Sequence, residues 1–85
     1  MDSGKFIEFA KMNVQEYAHE YNDKRVALED IYVVWSCKTL QNNKALLSTP
    51  IPDGRYYEVT YNGDKKEVYL DCYKKVLNVC FHGVE

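Results

Sequence analysis

Along the first twenty residues apolar side chains return every third or fourth position: Phe6, Ala10, Val14, Tyr17, Ala18 and Tyr21, with Phe9 widening the stripe. That spacing predicts an amphipathic helix over about 3–21 with one buried face. Ser3 is the expected N-cap, since its hydroxyl can accept from a free first-turn amide, and Asn22 and Asp23 suit the stop. Lys24 to Asp30 reads as a polar connection with a short turn at Ala27 to Glu29.

From Ile31 the period drops to two. Ile31, Val33, Trp35 and Cys37 fall on one side and Tyr32, Val34, Ser36 and Lys38 on the other, which predicts a strand, and its apolar density on both sides suggests a central one. Gln41, Asn42 and Asn43 tolerate turn geometry, so Lys44 to Thr49 is expected to return as a second strand. Pro50, Pro52, Asp53 and Gly54 interrupt it: proline lacks the ladder donor, and Gly54 permits positive φ. Arg55 to Tyr61 then alternates Tyr57, Val59 and Tyr61 against Tyr56, Glu58 and Thr60. Asn62, Gly63 and Asp64 form a hairpin signal with positive φ expected at the turn, and Lys66 to Cys72 is the returning strand.

The stretch from Tyr73 to His82 is ambiguous between a short helix and a strand over Val76 to Phe81, and the strand is preferred. The whole is α+β: one N-terminal amphipathic helix packed on a mostly antiparallel sheet of four to five strands within about 31–82. The expected core is Phe6, Ala10, Val14 and Tyr17 on Val33, Trp35, Leu47, Val59, Val68 and Leu70, with Trp35 largely buried.

At 85 residues the chain has room for one domain, 1–85, and its 46% hydrophobic content is enough to build a core. Charge is uneven. Residues 1–30 hold seven acids and four bases, while residues 31–85 hold six acids and seven bases. The net charge of −2 opposes a dedicated polyanion binder. No signal-peptide pattern opens the chain, and no apolar run approaches the ~20 residues of a membrane span. Three cysteines, an odd number, point to a reducing cytoplasm.

Candidate chemistry is sparse. Cys37, Cys72, Cys80 and His82 lack the Cys-x-x-Cys spacing of a zinc knuckle, so the cysteines read as buried apolar thiols, and neither His19 nor His82 lies in a catalytic-thiol motif. Glu58, Glu67 and Asp71 are close enough in sequence to converge as paired carboxylates. Lys65, Lys66, Lys74 and Lys75 make cross-strand pairing on a solvated face the simpler role. Gly54 and Gly63 stand alone, without a phosphate-cradling loop. No cofactor or metal is expected, and no reaction.

What remains is aromatic. Tyr56, Tyr57, Tyr61, Tyr69 and Tyr73 crowd the third and fourth strands beside Arg55, Lys66, Lys74 and Lys75. Ordinary sheet packing accounts for part of this, because tyrosine favours strands. The binding candidates are Arg55, Tyr56, Lys66, Tyr69, Tyr73, Lys74 and Lys75. They suit either a protein partner, where tyrosine is enriched, or single-stranded nucleic acid, where rings stack on bases and lysines meet phosphates. A homodimer covering the sheet is compatible with both.

The stretches IYVVWSCKTLQNNKALLST and DGRYYEVTYNGDKKEVYLDCYKK resemble a family of small uncharacterised proteins encoded by temperate phages and prophages of Gram-positive bacteria. The resemblance covers roughly residues 29–81. It implies a phage-encoded protein in the cytoplasm of the bacterial host, and it brings no reaction, cofactor or catalytic residue. The expected function is therefore that of a non-enzymatic protein that binds a host or phage protein in replication, transcription or anti-defence. The alternative is a single-stranded nucleic-acid-binding accessory of phage replication or recombination.

Protein purified under reducing conditions is expected to hold no zinc and no disulfide; metal analysis returning one equivalent of zinc would contradict this reading.

Overall fold

The computed structural model describes residues 1–83. Helix α1 (Ser3–Asn22) is followed by a 3₁₀ turn at Leu28–Asp30 and by strands β1 (Tyr32–Thr39), β2 (Asn42–Ser48), β3 (Arg55–Asn62) and β4 (Glu67–Lys74). The strands form one antiparallel sheet in chain order, β1-β2-β3-β4, so every connection is a hairpin.

The helix starts at Ser3, as expected, but its cap differs. Asp2, not Ser3, is the N-cap, and its carboxylate accepts from the Lys5 amide at 2.8 Å. Either residue type can cap, but a carboxylate also complements the positive end of the helix dipole. Asp23 ends the helix in the left-handed region (φ 52°), and the Lys24 amide returns to the Ala18 carbonyl at 2.9 Å. That return bond satisfies one of the orphan carbonyls of the last turn.

One face of α1 lies on one face of the sheet. Phe6, Ala10 and Val14 are fully buried against Ala45 and Leu47 of β2, Tyr57 and Val59 of β3, and Ile31, and Ala18 is buried as well. Antiparallel register lines up Leu47, Tyr57 and Cys72 in one row and Ala45, Val59 and Leu70 in the next. Small side chains at Ala10, Ala18 and Ala45 let the helix approach the sheet closely, while the large groups Phe6, Leu47 and Tyr57 fill the gap. Each large apolar side chain buried in this way contributes about 1.5 to 3 kcal/mol. Tyr17 packs edge-on to Tyr57, with ring centroids 5.6 Å apart. Tyr21, expected on the same stripe, is exposed and instead stacks on Tyr17 at 5.1 Å.

Three expectations for the sheet are corrected. First, β1 is an edge strand and not a central one, and Trp35 lies outside the core at 42% exposure. The cause is a bulge. Val33 pairs with Leu47 and Trp35 with Leu46, which leaves Val34 unpaired between them. An extra residue in a strand reverses the alternation beyond it. Val33 therefore packs beneath the helix and Trp35 turns to the opposite face.

Second, the stretch beyond Lys74 forms no strand. The Lys75 amide still donates to the Gly54 carbonyl at 2.7 Å, after which residues 76–83 run on without ladder partners. The sheet thus has four strands and ends at Lys74.

Third, Gly63 does not take positive φ; the left-handed residue of its hairpin is Lys66, at 54°. The connection is a four-residue loop, 63–66, between the paired Asn62 and Glu67, and the Asn62 side chain accepts from the Asp64 and Lys65 amides at 3.1 and 3.2 Å. Glycine is needed at 63 for space, because a Cβ there would stand 2.2 Å from the Gln41 carbonyl oxygen. Gly54 meets its expectation, with φ at 69°.

The molecule is a slab of 44 × 37 × 20 Å with a Cα radius of gyration of 14.4 Å. A compact chain of this length would have about 12 Å. The excess reflects an architecture only two layers thick, with a projecting segment after β4.

Gly63→Val should destabilise the protein by several kcal/mol through collision with Gln41, read as a fall in the unfolding midpoint. Trp35→Ala should cost only about 1 kcal/mol, against about 2 to 5 for Leu47→Ala. Equal losses for the two alanine variants would contradict the placement of Trp35.

Candidate functional site

The pleat that sends Tyr57 and Val59 under the helix sends their neighbours to the other side of the sheet. Helix α1 covers only the first side. On the uncovered side, register places Tyr32, Ser48, Tyr56 and Tyr73 in one row across the four strands. Trp35, Leu46, Glu58 and Asp71 form the next row, and Cys37, Lys44, Thr60 and Tyr69 the third. Tyr32, Trp35, Tyr69 and Tyr73 are all about half exposed. A shallow hollow of about 480 Å³ opens on this face, lined by Leu46, Tyr56, Glu58, Tyr73, Lys74 and Lys75.

The seven binding candidates read from the sequence are divided by this geometry. Tyr56, Tyr69 and Tyr73 share the open face, and Lys74 and Lys75 stand at the end of its hollow. Arg55 alternates to the helix side, where its Nε lies 3.7 Å from Asp53 Oδ2 and its guanidinium interacts with Tyr17 and Cys72. Lys66 sits in the β3–β4 turn, away from the hollow.

Sequence reasoning missed Tyr32, Trp35 and Leu46. The apolar density of β1 on both sides was the available signal, but it pointed to burial in a central strand.

The open face carries charges of both signs. Glu58 pairs with Lys44 at 3.6 Å rather than with the lysines near the turn, which leaves Glu67 and Asp71 as further carboxylates on the same face. The Tyr69 hydroxyl donates to Glu67 Oε2, and this bond holds its pKa above the ordinary phenol value. On the helix side, burial pushes the Tyr57 hydroxyl up as well. The Tyr17 hydroxyl rises through its hydrogen bond with the Cys72 sulfur.

Thiol placement also differs from expectation. Cys37 and Cys80 are exposed, and only Cys72 is half-buried against the core. Both exposed thiols lie away from the helix, Cys37 on the open face of β1 and Cys80 on the segment after β4. Among the described residues no group of three or more His, Cys, Asp or Glu side chains is placed to hold a metal ion. Among the same residues no helix is long and apolar enough to cross a membrane.

A second hollow, of about 560 Å³, lies between the end of α1 and the following connection, where Gln15, Glu16, His19, Lys24 and Arg25 are among its lining residues. Gln15 Nε2 donates to the Val26 carbonyl at 3.0 Å and ties that connection to the helix. Its side chains carry both signs of charge and belong to a helix end, with no convergent polar geometry.

The pattern that defines a family of unknown function, DUF6275, matches residues 7–83, from the first turns of α1 through the segment after β4. The chain belongs to this family. The DUF6275 match includes the helix from Ile7 onward, all four strands and every aromatic residue of the open face, so the face and all of the core but Phe6 lie within it. Comparison with curated proteins and with solved structures finds no match.

The raised Tyr57 value carries a pH dependence. Folding favours the neutral phenol, so the stability linked to it is complete below the unfolded-state value of 10.0 and is lost as pH rises through the higher folded-state value. The unfolding midpoint should therefore fall between about pH 9 and pH 11, and Tyr57→Phe should reduce that fall. An alkaline profile unchanged by Tyr57→Phe would contradict the assignment.

Proposed function

We propose that this DUF6275 protein is a small non-enzymatic interaction protein whose open sheet face binds another protein. The observation that carries this reading is the uncovered row of Tyr32, Tyr56 and Tyr73 beside Trp35 and Leu46. Soluble monomers rarely leave contiguous apolar surface of this kind unless something docks there. Tyrosine and tryptophan are also the residues that most often anchor protein interfaces. The sequence resemblance to temperate phage and prophage proteins supports a phage-encoded protein acting in the host cytoplasm. Its partner would then be a host or phage protein of replication, transcription or anti-defence.

The single-strand reading is the weaker one on electrostatic grounds. A polyanion groove needs unpaired cations beside its stacking rings. Here Lys44 is paired with Glu58, Asp71 and Glu67 share the face, and Arg55 is on the other side. Lys74 and Lys75 alone flank the hollow with positive charge.

The two readings separate in one set of measurements. The purified protein should bind short oligonucleotides no more tightly than about 100 μM near physiological salt. In affinity capture from nuclease-treated lysate of the infected host, Tyr56→Ser or Tyr73→Ser should reduce recovery of the bound protein about tenfold or more, and Lys75→Ala much less. Micromolar oligonucleotide binding that falls steeply with salt, and is lost in a Lys74→Glu/Lys75→Glu variant, would overturn the protein-partner reading in favour of nucleic acid.

A further inference from the structure

The segment after β4 has the pattern of a strand and none of its pairing. Leu77, Val79 and Phe81 alternate with Asn78, Cys80 and His82, which would put three large apolar groups on one side of an extended chain. In the structure this side is in water, with Leu77 74% and Phe81 79% exposed. The open sheet face is also uncovered, and its hollow of Leu46, Tyr56 and Tyr73 is lined as well by Lys74 and Lys75, the residues after which the segment leaves. One chain thus presents an apolar arm and an apolar face, neither of them covered.

The arm is not built to reverse onto its own sheet. The Lys75 amide bond to Gly54 carries it onward in the direction of β4, and no glycine or proline stands between Lys75 and His82 to make a tight turn. Extended, Val76 to Phe81 reaches ~20 Å, nearly the length of a sheet strand. It can span the face of a neighbour.

We infer that a second copy of this chain covers the open face, by reciprocal exchange in which the arm of each copy, Val76 to Phe81, lies across the aromatic face of the other. Two observations favour the arm over simple stacking of two sheets. The first is charge. The open face carries Glu58, Glu67 and Asp71 with Lys44 and, at the end of its hollow, Lys74 and Lys75, so two such faces in direct contact would have to bury several ionised groups, whereas Val76 to Gly83 contains no acid, lysine or arginine. The second is area. Strands of seven or eight residues in a four-stranded sheet form a plane of only ~500 Å² in projection, a small face beside the ~800 Å² of accessible surface that each partner buries in a standard stable interface, and the arm supplies additional apolar surface. The radius of gyration, larger than that of a compact chain, fits a protomer whose third layer comes from its neighbour.

The inference rests on reading the open face as a docking surface and adds that the free protein occupies that surface itself. A partner protein then competes with the arm, so self-association and partner capture are alternatives.

Sedimentation of the full chain tests this, with Leu77→Ser/Phe81→Ser as the arm variant and Trp35→Ser/Tyr73→Ser as the face variant, each checked for an intact fold by circular dichroism. The full chain should form dimers in the micromolar range, and each variant should weaken dimerisation about tenfold or more. Mixing the two variants should restore a heterodimer tighter than either homodimer, because one intact arm then meets one intact face. A full chain that stays monomeric at about 200 μM would overturn the exchange. So would a dimer insensitive to the arm substitutions, which would signify direct stacking of faces. Partner capture by a chain that never dimerises would likewise refute the exchange while leaving the proposed function standing.

Discussion

One helix can cover only one face of a sheet. Helix α1, 20 residues long, is ~30 Å from end to end, and a strand of eight residues is ~27 Å, so the helix matches the sheet in length but lies on a single side. Everything else in this structure depends on that fact. The covered side concentrates Phe6, Val14, Leu47, Tyr57 and Val59 into a dry core. The uncovered side must meet either water or another molecule, and its composition suits the latter, since a purely solvated face has no use for Trp35, Leu46 and four tyrosines. The same pleat that builds the core therefore also sorts the candidate binding groups.

Legibility in the sequence followed the locality of each interaction. The alternation of Tyr57, Val59 and Tyr61 against Tyr56, Glu58 and Thr60 is preserved in β3, because that strand is interior and its period is unbroken. The buried helix positions Phe6, Ala10 and Val14 were equally plain. Strand β1 misled because a bulge is invisible in the pattern: Val34 looks like any strand residue, yet leaving it unpaired moves Trp35 across the sheet. Gly63 was recognisable as a required glycine, but its reason is the Gln41 carbonyl from a different hairpin, which no local window contains. The arm shows the reverse case. Its period-two pattern was readable, while the existence of a strand partner is a property of the assembly and not of the segment.

Candidate-site legibility was similarly divided. Tyr56, Tyr69 and Tyr73 were found by aromatic crowding and do share a face. Arg55 was adjacent in sequence and opposite in space, since neighbours on a strand always point apart. The charge on the face comes from residues whose roles were first assigned elsewhere: Lys44 takes Glu58 as its partner, and Asp71 sits in the row of Trp35 and Leu46. An aromatic surface of mixed charge results, with Glu58, Glu67 and Asp71 set among Lys44, Lys74 and Lys75.

Trp35 is the only tryptophan in the chain and stands on the open face, so its fluorescence reports on that face directly. Acrylamide quenching of Trp35 across protein concentration is the most direct measurement of whether the face is built open and then covered. The account predicts ready quenching in dilute protein and marked protection as the protein self-associates. A Trp35 shielded at every concentration would place it in the core, and one equally quenched at every concentration would leave the open face without an occupant; either result would contradict the account.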